Sequence, residues 1–175
     1  TTWLDDRERE AWVRLGSLIQ LLPAVLETQL KRDAELTHFE YWVLAMLSEA
    51  PERTLRMSSL AGRTSATLPR LSHVVSRLEE RGLVERFPCP EDRRAVNARL
   101  TDAGWTAIVA AAPGHVEQVR ASVVDALSPA QLEALSDVAD AILERIDPDV
   151  LAQVRSRTGR WRRTPGRRLP VPPQG

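Results

Sequence analysis

The sequence predicts a mainly helical fold with one small β-hairpin, and three observations predict it. Leu68, Leu71, Val74, Val75 and Leu78 recur at 3-3-1-3 spacing, which places them on one face of a helix. Gly82 stops that helix, and two alternating stretches, Leu83 to Phe87 and Val96 to Leu100, flank a charged turn over residues 88–95. Longer apolar-periodic stretches lie before and after, within residues 6–31 and 105–146. A helix with a polar outer face, followed by a basic hairpin, is the winged helix-turn-helix pattern.

Each element has a local cause. Residues 6–31 carry Trp12, Leu15, Leu18, Ile19, Leu22, Val25, Leu26 and Leu30 on a broad stripe, with Pro23 expected to bend or interrupt the helix. Thr37-His38-Phe39-Glu40 forms a capping box that starts a helix reaching about Ser48. Thr54 to Arg56 suits a short strand, and Ser58 to Arg63 a short helix with Leu60 and Ala61 inward. Gly62 to Ser65 supplies a turn. Thr67 caps the next helix, and Pro69 falls in its first turn, where the missing N–H costs nothing. Trp105 to Ala126 is helical in pattern, with a break or kink expected at Pro113-Gly114. Ser128-Pro129-Ala130-Gln131 starts a last amphipathic helix that Asp147-Pro148 ends. Residues 156–175 hold Arg, Pro and Gly with little to bury, and disorder is expected there.

Composition narrows the function. No run of about 18 apolar residues predicts a membrane span, and the acidic start TTWLDDRERE is unlike a secretory leader. One cysteine, Cys89, permits no internal disulfide framework, so a cytoplasmic location is expected. Arginine outnumbers lysine 23 to 1, which points to a GC-rich, bacterial coding sequence. His38, His73 and His115 lack metal-ligand spacing, and no phosphate-binding or nucleophile motif occurs. No enzyme activity, metal or cofactor is expected.

Net charge is zero, but its distribution is uneven. Residues 53–101 carry 10 basic and 5 acidic groups, between flanks of net −5 (1–52) and −7 (102–149). Local field, rather than total charge, steers a polyanion such as double-stranded DNA. The polar face of the 67–80 helix offers Arg70, Ser72, His73 and Arg77, groups able to bond base edges and phosphates. Arg70, nearest the N-terminus, suits a base-edge contact to guanine. His73 suits a base or a phosphate, or is a solvated histidine. Arg77 suits a phosphate. Thr67 either bonds phosphate or only caps its helix.

The most specific segments are Leu60-Ala61, the run Arg77-Leu78-Glu79-Glu80-Arg81-Gly82-Leu83-Val84-Glu85-Arg86, the turn Asp92-Arg93-Arg94, and Leu100-Thr101-Asp102-Ala103-Gly104. With their spacing, they resemble the multiple-antibiotic-resistance regulator (MarR) family of bacterial transcription factors over about residues 8–147. The resemblance implies a homodimer. Residues 1–35 and 102–147 would form a helical dimerisation region, and residues 36–101 a winged helix-turn-helix lobe that binds a pseudo-palindromic operator. It implies a repressor, released by a small aromatic or anionic effector or by cysteine oxidation. It places Arg94 in the minor groove, with Asp92 orienting it through a charge-assisted pair, the alternative being an ordinary turn salt bridge. Arg93 would be structural or touch phosphate. An effector pocket is implied between the first helix, the second and the helix after the wing, with Trp12, His38 and Trp42 as candidate lining. Core packing is the alternative for the tryptophans.

The chain departs from the family at three points. Pro69 stands where a polar residue is usual, the wing turn Pro88-Cys89-Pro90 is stiff, and residues 150–175 form a basic tail with seven arginines and no acids. Cys89 lies beside the wing, away from the family's sensor positions, and is expected to be a spectator. The tail is either an arm that follows the DNA backbone or a solvated segment. The competing reading of the whole lobe is a winged helix used for protein–protein contact. Such a face should expose Trp, Tyr or Leu over 67–77 and 92–94.

Overall fold

The computed structural model describes residues 1–163, with side chains through residue 157. Among these, seven α-helices and three short strands follow in the order α1 (Asp6–Ala34), α2 (His38–Ser48), β1 (Thr54–Arg56), α3 (Met57–Arg63), α4 (Leu68–Glu80), β2 (Val84–Pro88), β3 (Val96–Leu100), α5 (Asp102–Ser122), α6 (Pro129–Ile146) and α7 (Pro148–Arg163). The sheet is antiparallel in the order β1-β3-β2, with Leu55 opposite Ala98 and Val84 opposite Leu100. Among the described residues no helix is long and apolar enough to cross a membrane.

Both expected capping boxes form. Thr37 Oγ1 accepts from the Glu40 N–H at 3.1 Å, and Glu40 Oε2 accepts from the Thr37 N–H at 2.8 Å. Ser128 and Gln131 repeat the exchange at α6. Neither interior proline interrupts its helix. α1 runs through Pro23, and α5 runs through Pro113 without interruption. Both prolines are exposed. α1 and α5 pack along each other, which offsets the roughly 3 kcal/mol that a proline inside a helix costs. Gly114 serves that packing, since a Cβ there would stand 3.2 Å from Gln29 Nε2.

The core lies in the lobe and in the parts of α1 and α5 that pack on it. Leu30, Leu36, Val43, Leu44, Leu47, Leu60, Leu71, Val75, Leu78, Ala98 and Ile108 are buried together. The junction into α5 explains the Leu-Thr-x-x-Gly segment. Thr101 Oγ1 accepts from the Gly104 N–H at 3.0 Å and donates to the Gly82 carbonyl at 2.7 Å, while the Thr101 N–H reaches the Leu83 carbonyl at 3.1 Å. A Cβ at Gly104 would overlap the Leu83 carbonyl oxygen and come within 2.6 Å of Leu100 Cδ1, so only glycine fits.

The tail expectation needs correction. α7 continues to Arg163, through residues 156–163 where disorder was expected. It stays ordered because Leu151 is buried and α7 packs on α6 and α3. The rest of the expected tail, 164–175, lies outside the described residues.

Candidate nucleic-acid interface

α4 is held by three buried residues, Leu71, Val75 and Leu78, with Val74 half-buried. Leu68, expected on this inner face, is instead 50% exposed. Leu68 is the first residue of α4, in a turn whose outer side chains are open to solvent. That turn presents Thr67, Leu68, Pro69 and Arg70, all exposed, followed by Ser72 half-buried and His73 exposed. Thr67 Oγ1 accepts from the Arg70 N–H at 3.4 Å, so it caps the helix weakly.

The two outer arginines of α4 differ. Arg70 stacks its guanidinium 4.3 Å from the centroid of the Phe39 ring and has no carboxylate partner among the described residues. Phe39 was not anticipated. It lies on α2, and nothing in the spacing of α4 points to it. Arg77, expected to hold phosphate, has its Nη2 3.1 Å from Glu40 Oε1, and Arg81 approaches the other oxygen at 3.8 Å. Glu40 is 1% exposed. Removing its partners would leave a buried carboxylate uncompensated. Arg77 therefore ties α4 to α2, and its charge is partly neutralised inside the lobe.

The hairpin is anchored to α4 by Glu79. Its carboxylate accepts from the Arg86 N–H, Nε and Nη2 at 2.9, 2.9 and 2.7 Å, and these bonds hold its pKa below the usual carboxylate value. This accounts for the Glu79/Arg86 spacing across the Gly82 turn, where Gly82 has φ +70°.

At the wing tip, Asp92 does not pair with the Arg94 guanidinium. Its Oδ1 accepts from the Arg94 backbone N–H at 3.1 Å, an Asx turn that shapes the loop. The Cys89 and Ala95 N–H groups close the hairpin on Ala95 and Asp92 carbonyls at 2.8 Å each. Arg93 and Arg94 are exposed. Cys89 is buried, with Arg56 Nη2 3.5 Å from its sulfur. Backbone N–H groups of Glu91 and Asp92 and the Arg56 cation lower its pKa. Covered sulfur and stabilised thiolate thus oppose each other, and burial limits its reactivity.

Residues 53–101 contain ten arginines. Arg53, Arg56, Arg77, Arg81, Arg86 and Arg99 each lie within ion-pair range of a carboxylate. Arg70, Arg93 and Arg94 do not, among the described residues. The uncompensated positive charge therefore sits at the start of α4 and at the wing tip.

The structure brings together only part of the expected effector site. His38 and Trp42 face each other at 6.3 Å between ring centroids, and His115 of α5 joins them at 6.1 Å from His38 and 4.2 Å from Tyr41. Trp12 is not brought to this group: it is 59% exposed and lies about 25 Å along α1 from Gln29 at the helical rise. Two polar atoms here, Gln29 Oε1 and His115 Nδ1, are buried without a hydrogen-bond partner. Burial lowers the pKa of both His38 and His115, Glu27 partly offsetting this at His38 and the His38 charge adding to it at His115. Burial and Glu49 push the Tyr41 hydroxyl up to about 12. Gln29 was not among the expected site residues, though its position carries a signal: it is a polar residue set between Leu26 and Leu30 on the buried side of α1.

Comparison with known proteins agrees with this architecture. Residues 36–96, the lobe from Leu36 to β3, match the model of the MarR family. A MarR family transcriptional regulator from Streptomyces coelicolor, solved in complex with DNA, is 40% identical over 85% of this chain and 92% of its own, with a TM-score of 0.83. AbsC, another such regulator from Streptomyces coelicolor, is 38% identical over 83% and 98%, with a TM-score of 0.81. PcaV from Streptomyces coelicolor, solved with its natural ligand, shares the fold at 21% identity over 84% and 100%, with a TM-score of 0.67. With this lobe, this hairpin and relatives of that identity across most of its length, the chain belongs to the MarR family of transcriptional regulators.

Proposed function

We propose that this protein is a homodimeric, sequence-specific binder of double-stranded DNA that represses transcription from a pseudo-palindromic operator. The observation that carries the reading is the placement of Arg70, Arg93 and Arg94. They keep their charge free of carboxylates, while the lobe's other ion pairs hold its framework. Arg70 reads a base edge or the adjacent phosphate from the first turn of α4, together with His73 and Ser72. Thr67 and Pro69 sit against the backbone there. Arg94 enters the minor groove on a loop shaped by Asp92, and Arg93 neutralises phosphate. The DNA complex of the 40%-identical relative supports this reading.

The dimer rests on a second feature. Trp12, Val13, Leu18, Ile19 and Leu21 of α1, and Val138, Ile142 and Ile146 of α6, are exposed in the single chain. Apolar surface on this scale marks an interface. A two-fold dimer would present its α4 helices to successive major grooves, so half-site centres should lie about 10 base pairs apart. Selection of bound duplexes from a random pool tests this. An inverted repeat with that spacing is expected, and recovery of unpaired half-sites would contradict it.

A small aromatic or anionic effector would bind beside the ring cluster of His38, Trp42 and His115. The unpartnered Gln29 Oε1 and His115 Nδ1 offer it one acceptor and one tautomer-dependent site. The protein–protein alternative has one observation in its favour, the exposed Leu68. A single leucine flanked by Arg70 and Thr67 suits contact with a thymine methyl equally well.

A further inference from the structure

α6 has no buried residue and, within its own chain, packs chiefly on α7. α7 in turn reaches the lobe. Leu151 is 3% exposed, and the Gln153 amide covers Gly62 of α3, where a Cβ would stand 3.1 Å from Nε2. Arg157 Nη2 donates to Glu49 Oε2 at 3.3 Å, just past the end of α2, and its guanidinium lies 5.5 Å from the Trp42 ring centroid. On the other side, Arg155 Nε and Nη2 donate to Asp140 Oδ2 of α6 at 3.1 and 2.9 Å. One helix thus carries one contact set to α6 and another to α2 and α3.

We propose that α7 is a strap that fixes the lobe against α6, and so sets the separation at which the two lobes of a dimer meet DNA. The inference rests on the DNA-binding reading. Its physical content is rigidity. α6 offers an unpartnered apolar face to a second copy, so its position is referred to the dimer axis. α2 and α3 belong to the lobe that carries α4. A helix pinned to both transmits the position of one to the other, as packed elements with few alternative arrangements do. Arg157 is the pin on the lobe side, because its partner Glu49 and its ring contact Trp42 both lie at α2.

The test uses full-length protein in three forms: Arg157→Glu, Glu49→Arg, and the two combined. Hydrogen exchange of α7 amides should rise about tenfold in each single reversal, because opening of α7 then no longer has to break this pair. It should return toward the original rate in the combined form, where the pair is restored with signs exchanged. In parallel, affinity is measured for inverted repeats whose half-sites are one base pair closer or further than the preferred spacing. The single reversals should flatten that preference, and the combined form should restore it. Unchanged exchange in both single reversals overturns the strap. A spacing preference that survives undocking of α7 overturns its role in lobe placement. Failure of the unaltered protein to bind any duplex would instead overturn the parent reading, while the exchange measurement still decides whether α7 is pinned by Arg157.

Discussion

The lobe and the outer helices are built on opposite terms. In the lobe, three strands and parts of α1 to α5 close around a shared core, and the ion pairs of Glu40 and Glu79 brace it. The N-terminal half of α1 and all of α6 also carry apolar residues, yet none of these is fully buried in the single chain. The same residue types thus do two jobs. In the lobe they fold the chain, and in the outer helices they stand exposed. Burial, not composition, separates the two.

That contrast can be broken by applying similar substitutions on both sides. Leu78→Ala removes a fully buried side chain of α4 and should cost about 2–5 kcal/mol of stability, read by denaturant unfolding. Glu40→Ala leaves Arg77 and Arg81 facing an empty site and breaks the α2 capping box. It should cost on the order of 2–3 kcal/mol, below the usual figure for a buried pair because both arginines are partly exposed. Ile19→Asp or Val138→Asp should leave the lobe's unfolding almost unchanged but shift sedimentation from dimer to monomer. Unfolding of the lobe by either change would mean these faces are intramolecular after all.

A smaller effect sharpens the comparison through pH. His38 and His115 are held below the ordinary imidazole pKa by burial. The unfolded chain takes up protons near pH 6.5 while the folded chain resists until lower pH, so their contribution is complete above about 6.5 and falls as pH drops through it. Asp33, held at about 2 by Arg32 and Gln29, does not titrate in that window. Melting temperature should therefore decline between about pH 7.5 and about pH 5.5, and His115→Asn should lessen the decline. An equal decline in that variant would assign it to other groups.

The parts legible in the sequence were those governed by short-range rules. Capping at Thr37, Thr67 and Ser128, the stop at Gly82 and the hairpin strands follow from neighbouring residues, and they stand where expected apart from one-residue shifts. Three features were missed because they depend on contacts between distant segments. Pro23 and Pro113 are absorbed into α1 and α5 by helix packing that no local rule contains. Arg77 looked free on a helical wheel, whereas its partner lies on α2. The family resemblance puts Trp12 in one pocket with His38, and the length of α1 keeps them apart. Leu68 shows the limit of periodicity itself: it has the right spacing for the inner face, yet it is half exposed.

The central claim is that the free cations at the start of α4 and at the wing tip bind DNA. The most direct measurement is the salt dependence of duplex affinity for the unaltered protein and for a variant with Arg70, Arg93 and Arg94 all replaced by alanine. Stability should hold to within about 1 kcal/mol, since these side chains are exposed and only the Arg70–Phe39 stack is lost. Affinity should fall steeply with salt in the unaltered protein. The slope of log affinity against log salt should be shallower in the variant, by about 0.9 for each phosphate that the arginines no longer neutralise. Equal slopes and equal affinities in the two proteins would contradict the account.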